Sequence, residues 1–253
     1  MGKTVGWTSD DWYREGEEQL HFFPRPKRLL FTTGRRIRAD GEAWGGITAA
    51  AGYRDPVMQP RPTTPGTYVI HDHGPYVTST WTTSRIAWGT PLKLDPGGEH
   101  VLYQAGSGSN RWLRVDRLIP RLNAANVRLL YRDLYGGSGI HDSNRDGVPD
   151  KWVFNDFGPW AIRYYLDPNR NRRLDEGDRL MGEMIHTTRE NEADSALEAQ
   201  TGVQGLVEME YSHGCIHIRP IERVRFLKLG AFRTGNLMIV HGPAEVVPEF
   251  LER

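Results

Sequence analysis

The segment Arg28-Leu-Leu-Phe-Thr-Thr-Gly34 is a short run of apolar and β-branched residues that stops at a glycine. Such a run is typical of a β-strand that ends in a turn. Residues 35–39 follow at once and predict the second strand of a hairpin. Residues 1–25 before the segment are polar and aromatic, and they predict an irregular lead-in. The regular structure is therefore expected to begin with β-strands.

Most other apolar runs also have the length of strands, four to eight residues. Further strands are predicted at 67–70, 77–88, 160–166, 180–187 and 236–241. Residues 221–229 carry apolar side chains at helical spacing, and Gly230 follows as a candidate C-cap, so a helix is predicted there. This pattern favours a mainly β fold with one packed helix near the C-terminus.

The remaining segments are less decisive. Residues 127–134 fit a strand or a helix, because periodicity alone does not decide between the two. Residues 95–110 are rich in glycine and predict loops, whereas residues 136–156 are acidic and rich in turn-forming residues. Residues 189–204 are polar and predict a short helix.

The composition argues against several kinds of partner. Lys and Arg number 32, and Asp and Glu also number 32, so a net charge of zero gives no general attraction to nucleic acid or to an anionic membrane. No apolar run approaches the length of a membrane span. The first 20 residues are polar and contain no apolar signal-peptide core, so the export route stays open. The sequence also leaves the oligomeric state open.

Cys215 is the only cysteine of the chain, which excludes an internal disulfide. It lies in Tyr211-Ser-His-Gly-Cys-Ile-His-Ile-Arg-Pro220, between two histidines. A catalytic cysteine needs a base and backbone N–H donors for the oxyanion, and Gly214 lets the backbone turn so that these N–H groups converge. The candidate bases are His186 and His213, followed by His141 and His217. A buried, inert thiol is the alternative interpretation.

Three segments resemble, in order, the L,D-transpeptidase catalytic domain known as the YkuD family. They are Arg61-Pro-Thr-Thr-Pro-Gly-Thr-Tyr-Val-Ile70, then Ile185-His-Thr187 with Ser212-His-Gly-Cys215, and finally Arg233-Thr-Gly-Asn-Leu-Met-Ile-Val240. They cover roughly residues 27–241 with insertions. The resemblance implies a YkuD-like β-sandwich of mixed sheets with a packed helix after the catalytic cysteine.

The resemblance also implies how the chain is divided. Residues 1–26 would be an N-terminal extension, and residues 27–253 would form one catalytic domain. Within that domain, residues 136–180 would be an acidic, turn-rich insertion. Residues 189–205 lengthen the spacer between the two catalytic motifs to 25 residues, and they would form a lid that influences which acceptor enters.

The resemblance assigns roles to the residues of these motifs. Cys215 would be the nucleophile and His186 the general base, oriented by the backbone carbonyl of Thr187. The N–H groups of Gly214 and Cys215 would form the oxyanion hole. These assignments complete a nucleophile, a base and an orienting group.

Other residues of the cysteine motif would shape the site or bind substrate. Ser212 and His213 would hold the loop by hydrogen bonds, and His213 is a further candidate for the oxyanion hole. Tyr211, His217 and Arg219 are candidates for substrate binding. The family has Arg or Asn two residues after the cysteine, where this chain has His217. The group that grips a substrate carboxylate is therefore an open question.

The implied reaction acts on peptidoglycan stem peptides in the bacterial envelope and requires no cofactor. The thiolate attacks the third residue and expels D-alanine, and an amine resolves the thioester to give a 3→3 cross-link or an exchanged D-amino acid. One alternative is an L,D-carboxypeptidase or cysteine peptidase that trims stem peptides, including as a secreted antibacterial effector. Another is a Ca²⁺-dependent cell-wall binding module without enzymatic activity.

Residues 142–150 resemble the first half of a calcium-binding loop, with glycine at position six. The candidate ligands are Asp142, Asn144, Asp146 and Asp150. Position twelve is Val153, so the usual bidentate glutamate is missing. A weaker match at 167–175 lacks the glycine. A structural Ca²⁺ and a pair of polar turns are the two interpretations.

Overall fold

The structure is a computed structural model that describes residues 12–48, 59–76, 85–120, 122–135 and 141–251. In chain order the elements are β1 (Glu18–Phe23), β2 (Arg28–Thr33), β3 (Arg36–Trp44), β4 (Gly66–Pro75), β5 (Leu92–Leu94), β6 (Val101–Gln104), β7 (Trp112–Arg114), α1 (Val115–Leu118), α2 (Ala124–Tyr135), β8 (Trp160–Leu166), β9 (Arg179–His186), α3 (Arg189–Thr201), β10 (Ile216–Ile218), α4 (Pro220–Lys228) and β11 (Leu237–Val240). Strands outnumber helices, so the prediction of a mainly β protein is confirmed.

The chain divides into two compact units, and the expected division into one catalytic domain with an extension and insertions stays a prediction. The barrel unit comprises Met1–Gly74, Ala161–His186 and Met209–Arg253. The second unit comprises Pro75–Trp160 and Thr187–Glu208. Each unit has a hydrophobic core of its own, because the segments that leave the barrel strands bury their apolar side chains against one another.

A closed, mixed sheet of eight strands forms the barrel unit, in the order β1-β11-β4-β8-β9-β10-β3-β2. Strands β1 and β11 are parallel, as are β9 and β10, whereas β1, β2 and β3 form an antiparallel meander. The expected mixture of parallel and antiparallel pairs is therefore present. The hydrogen-bonded ring is continuous and leaves neither edge of this sheet unpaired.

Alternating residues of the strands fill the barrel interior. Leu20 and Phe22 of β1 and Leu29 and Phe31 of β2 are fully buried there. Phe226 of α4 packs into the same core, which confirms the predicted helix after the cysteine motif. Helix α4 follows strand β10, which begins directly after Cys215, and packs against the barrel core.

Strand β1 corrects the interpretation of residues 1–26 as an irregular extension. It lies between β11 and β2 and is part of the ring. The sequence pattern did not indicate this strand, because it contains the polar residues Gln19 and His21. Both are buried on the outer side of the strand. The Tyr13 N–H donates to Gln19 Oε1 at 3.0 Å, and the Tyr13 ring stacks on His21. Strand β1 is therefore covered on both faces.

Most of the other predicted strands of the barrel unit are present. Strands β2 and β8 have the predicted bounds, and β9 and β11 lie within a residue or two of theirs. Strands β3 and β4 extend well beyond the short segments expected for them. Because β8 is a barrel strand, residues 136–180 are not one continuous insertion.

The second unit contains a small antiparallel sheet in the order β5-β6-β7, with a core that includes Trp152. Strand β6 lies in the segment 95–110, so the expectation of loops alone was wrong there. Residues 127–134, left open by the sequence, belong to helix α2. Of the strands predicted over 77–88, residues 77–84 lie outside the described residues, and residues 85–88 form no strand.

The helices of the described chain are short, from 4 residues in α1 to 13 in α3. Helix α3 confirms the helix predicted within 189–204. It begins where Thr188 Oγ1 accepts the Asn191 N–H at 3.1 Å and ends at Gly202, which has a φ of 73°. None of the described helices is long and apolar enough to cross a membrane.

Candidate active site around Cys215

Strand β10 brings two of the candidate histidines together. Ile216 pairs with Ile185 of the parallel strand β9, and His217 pairs with His186. Both isoleucines pack in the barrel core, so alternation places the two histidines on the opposite face of the sheet. Their rings meet edge to face, with centroids 4.7 Å apart. An imidazole pair therefore lies at the end of β9.

Cys215 immediately precedes β10 and continues the same register. The Met184 backbone N–H acts on its thiol and favours the thiolate. Parallel strands are spaced about 4.8 Å apart and rise about 3.3 Å per residue, so residues offset by two positions on neighbouring strands have α-carbons roughly 8 Å apart. Side chains can meet across such a diagonal. The predicted nucleophile lies two residues before His217, the strand partner of the predicted base, and direct contact between the thiol and the His186 imidazole stays a prediction.

Ser212 is the centre of the hydrogen bonds that hold the cysteine loop. Its Oγ accepts the Gly214 N–H at 3.0 Å and donates to the Cys215 carbonyl oxygen. Its own N–H donates to the Gly45 carbonyl oxygen at 3.1 Å. Since Ser212 takes the Gly214 N–H, this group does not point at an oxyanion, in contrast to the expectation from the sequence. The role expected of the Cys215 N–H stays a prediction.

Two glycines permit the close approach of three backbone segments at this loop. Gly214 has a φ of 129°, a conformation that favours glycine. A Cβ at Gly46 would clash with the Arg61 carbonyl oxygen and would lie 2.6 Å from the Gly214 nitrogen. A glycine is therefore needed before the cysteine for the backbone conformation and for the close packing of this loop, and not only to leave room for a substrate.

The environment of Cys215 favours the neutral thiol. The side chain is partly exposed, but burial raises its pKa to about 11. The Met184 N–H acts against this rise, the charge of Glu183 adds to it, and the charge of Arg61 opposes it. The thiol is therefore protonated at neutral pH and needs a base at the moment of attack.

The histidines differ in their surroundings. His186 is almost fully buried, at 3% exposure, whereas His213 and His217 are partly exposed. His217 Nδ1 lies 2.9 Å from the Glu210 carbonyl oxygen, which fixes its ring. His141 belongs to the second unit. Three of the four candidate bases thus lie in the barrel unit, and His186 has the most enclosed position.

Thr187 follows His186 and is the first residue of the segment Thr187–Glu208 of the second unit. Its Oγ1 donates to Glu192 Oε1 at 2.6 Å. Gly158 lies against it, since a Cβ there would be 2.4 Å from the hydroxyl, and Gly158 has a φ of 66°. The backbone after His186 is therefore tightly held. That the Thr187 carbonyl orients the imidazole stays a prediction.

An aromatic pair lies beside the histidines. Trp44 of β3 pairs with His217 across β10, and the Tyr211 ring meets the Trp44 ring at a centroid distance of 4.7 Å. The Lys27 ammonium lies 3.3 Å from the centre of the Trp44 ring. Tyr211 is 43% exposed, so this predicted substrate-binding residue remains accessible.

Arg219 is tied to strand β3. Its Nε donates to Glu42 Oε2 at 2.9 Å, while Trp44 Nε1 donates to the other oxygen of the same carboxylate at 2.8 Å. These contacts turn the guanidinium toward Glu42. Arg219, predicted from the sequence as a substrate-binding residue, is therefore engaged in holding β3 against β10.

An arginine–glutamate pair that the sequence did not predict completes the site. Arg61 Nη2 lies 3.2 Å from Glu183 Oε1, and the Glu183 side chain is only 2% exposed. Thr64 donates to the same carboxylate through both its N–H, at 3.1 Å, and its hydroxyl, at 2.7 Å. The signal in the sequence was a single acidic residue within the otherwise uncharged run 180–187, since a buried carboxylate requires donors.

The carboxylates of the loop 142–150 bind backbone N–H groups of the loop itself. Asp142 accepts from Asp146 at 3.2 Å and from Gly147 at 2.9 Å. Asp150 accepts the Ser143 N–H at 3.0 Å and its hydroxyl at 3.1 Å. These bonds span four to seven residues and tie the two ends of the loop together. The loop is thus stabilised by its own side chains.

The loop 167–175 in the barrel unit repeats this arrangement. Asp167 accepts the N–H groups of Asn171 at 3.3 Å and Arg172 at 2.8 Å, and Arg172 has a φ of 57°. Within the described ranges, no group of three or more His, Cys, Asp or Glu side chains is arranged to hold a metal ion. Calcium binding stays a prediction for Asp142, Asn144, Asp146 and Asp150.

The candidate site combines a thiol, imidazoles and an arginine–glutamate pair on neighbouring segments of the barrel unit. No model of a known family, no curated protein and no solved structure matches the chain.

Proposed function

We propose that the protein is a cysteine-dependent acyltransferase of the L,D-transpeptidase type that acts on peptidoglycan stem peptides. The observation that carries this proposal is the register of β9 and β10, which pairs His186 with His217, two residues after Cys215. A thiol and a base on adjacent strands are the minimum that covalent acyl transfer requires. The order of the three motifs supplies the substrate class by resemblance.

In the acylation step, the His186 imidazole takes the thiol proton as the sulfur attacks the carbonyl carbon of the third stem residue. A carbon–sulfur bond forms, and the bond from that carbon to the nitrogen of D-alanine breaks. The imidazolium returns the proton to the departing amine. The raised pKa of Cys215 supports proton transfer during attack rather than a thiolate formed in advance.

In the second step, the amine of an acceptor attacks the thioester. A carbon–nitrogen bond forms, the carbon–sulfur bond breaks, and the amine proton passes through His186 to the sulfur. The product is a 3→3 cross-link or an exchanged D-amino acid. Water in place of the amine gives L,D-carboxypeptidase action by the same steps. No cofactor takes part in either route.

The surroundings of the cysteine support particular roles in these steps. The Cys215 N–H and His213 are the candidates that remain for the developing oxyanion, because Ser212 takes the Gly214 N–H. The exposed ring of Tyr211 offers a surface for the peptide. Helix α4 directly after β10 agrees with the family's architecture, and the YkuD-like layering of its sheets is part of the proposal.

The envelope is the proposed site of action, because stem peptides lie there. In a second form of this proposal, the protein is an antibacterial effector that acts on the cell wall of a neighbouring cell. This form predicts that expression directed to the periplasm is toxic and that Cys215→Ala abolishes the toxicity. Harmless periplasmic expression of the active protein would contradict the effector form alone.

The test uses disaccharide tetrapeptides with and without an acceptor amine, followed by mass spectrometry of the products. The unaltered protein should release D-alanine and form cross-linked or exchanged products, and Cys215→Ala should release none. His186→Ala should lower kcat by about 10² to 10⁴, the usual contribution of a general base. His71→Ala, at a partly exposed histidine elsewhere in the barrel unit, is the control and should change little. Turnover that survives Cys215→Ala would contradict the proposal.

A further inference from the structure

We propose that Arg61 forms a carboxylate-binding subsite beside Cys215 and selects donor peptides whose leaving residue carries a free C-terminal carboxylate. The identity of this ligand rests on the proposed function. The subsite itself rests on the geometry of Arg61, Gly214 and Glu183.

The Arg61 guanidinium lies against the residue that precedes the candidate nucleophile. A Cβ built on Gly214 would lie 3.2 Å from Arg61 Nε and 3.5 Å from Arg61 Cγ. The α-carbons of Gly214 and Cys215 are about 3.8 Å apart, as in any trans peptide. The Arg61 backbone is held as well, since its carbonyl oxygen packs directly against Gly46. The cation is therefore fixed within one residue of the thiol.

Glu183 anchors this cation from the interior. Its buried carboxylate accepts both hydrogen bonds of Thr64 and lies 3.2 Å from Arg61 Nη2, so its position does not depend on the arginine alone. The Arg61 side chain is 62% exposed beyond this contact. An arginine held at one end and open to solvent at the other is preorganised for a second anion.

The chemistry of guanidinium suits a carboxylate in this position. The group carries five N–H donors in a plane and can bind two carboxylates along different edges. The other arginine near the motif, Arg219, is directed to Glu42 at 2.9 Å. The position two residues after the cysteine holds His217. Arg61 is thus the arginine of the described site that faces the cysteine loop with an exposed side chain.

The dimensions of the donor peptide match this placement. In a C-terminal residue, the carboxylate carbon is three bonds from the carbonyl carbon that the thiol attacks, a separation of roughly 3 to 4 Å. A cation beside Gly214 can therefore contact the carboxylate while Cys215 reaches the carbonyl. Replacing the carboxylate by an amide would remove the charge-assisted hydrogen bond and leave the reacting atoms unchanged.

The first test is alkylation of Cys215 with iodoacetate and iodoacetamide, which differ in charge and share a leaving group. Cys215 is the only cysteine, so the added mass reports this site alone. Arg61→Gln should lower the ratio of the iodoacetate rate to the iodoacetamide rate by roughly tenfold, the effect of one lost charged hydrogen bond. Arg61→Lys should keep most of the ratio. Arg233→Gln, at a 68% exposed arginine that also faces a glutamate, should leave it unchanged.

An unchanged ratio in Arg61→Gln, or an equal fall in both rates, would overturn the subsite. The second test compares tetrapeptides that end in a carboxylate or an amide. Arg61→Gln should lower kcat/KM about tenfold for the acid and leave the amide unaffected. If the unaltered protein turns over neither peptide while the alkylation ratio still depends on Arg61, the proposed function fails and the carboxylate subsite stands.

Discussion

At Cys215, burial and a neighbouring cation act on the thiol in opposite directions. Burial dominates and raises its pKa to about 11, while Arg61 favours the thiolate. Under the proposed function, the protein would therefore hold a neutral thiol until substrate arrives and His186 accepts the proton. In such a site the proton leaves the nucleophile during the attack, as in a serine–histidine pair. In a preformed thiolate–imidazolium pair the proton has already been transferred.

This assignment predicts the pH dependence of alkylation. Only the thiolate reacts, and the pKa of Cys215 lies above the ordinary value of about 8.5. The rate of iodoacetamide modification should rise about tenfold per pH unit from pH 7 to pH 10, without a plateau. Intact-mass measurement of adduct formation gives these rates. A plateau below pH 8 would show that the thiolate is formed in advance.

Cys215 and His186 could be singled out from the sequence because each lies in a short motif with recognisable neighbours, and their roles as nucleophile and base stay predictions. The sequence did not predict the role of Arg61, since the glutamate that anchors this arginine lies 122 residues further along the chain. Nor did it predict that Ser212 takes the Gly214 N–H. Both features depend on contacts between segments, which local patterns do not contain.

Among the elements, strands that have a clear apolar run or end at a glycine could be predicted from the sequence, whereas β1 could not. Strand β2 stops at Gly34 and β8 is a run of aromatic and aliphatic residues, so both have local signals. Strand β1 contains Gln19 and His21, which are buried under Tyr13 and look polar in the sequence. Its burial depends on the segments that cover it, so its local pattern was misleading.

The place of β1 in the barrel predicts a large effect of truncating its core residue. Phe22 is fully buried in the barrel core, so Phe22→Ala should lower the free energy of unfolding by about 3 to 5 kcal/mol. Ile221 is 66% exposed, and Ile221→Ala should change the stability by no more than about 0.5 kcal/mol. Urea unfolding followed by circular dichroism measures both. Equal effects would show that β1 is not part of the core.

At the scale of the whole molecule, the parallel pairing of β1 with β11 joins the two ends of the barrel unit. Beside this pair, His21 Nδ1 lies 3.1 Å from His241 Nε2, and His241 Nδ1 lies 2.8 Å from Glu245. Tyr13 stacks on His21, and Phe23 stacks on His241. The cluster is enclosed by segments from both ends of the described chain.

This cluster predicts that the fold weakens in mild acid. Burial, and then the neighbouring His241, hold the pKa of His21 well below its usual value, and burial also lowers the pKa of His241 although Glu245 acts against this. The unfolded chain takes up protons near pH 6.5, so stability is full above that pH and falls below it. The expected slope is up to about 1.4 kcal/mol per pH unit for each histidine.

Urea unfolding between pH 7 and pH 5 measures this slope. The variant His21→Gln should reduce it, because one buried histidine no longer titrates on unfolding. The slopes are compared within each protein, so a change in overall stability of the variant does not affect the result. An unchanged slope in His21→Gln would assign the acid sensitivity to other groups.

The most direct test of the central claim is the intact mass of the protein shortly after mixing with a tetrapeptide stem. Acylation of Cys215 should add the mass of the tripeptide acyl group, released D-alanine should appear in the same interval, and an acceptor amine should discharge the adduct. Peptide mapping should place the adduct on Cys215, and Cys215→Ala should form none. Products formed without any adduct, and at the same rate in Cys215→Ala, would contradict the role of this cysteine as the nucleophile.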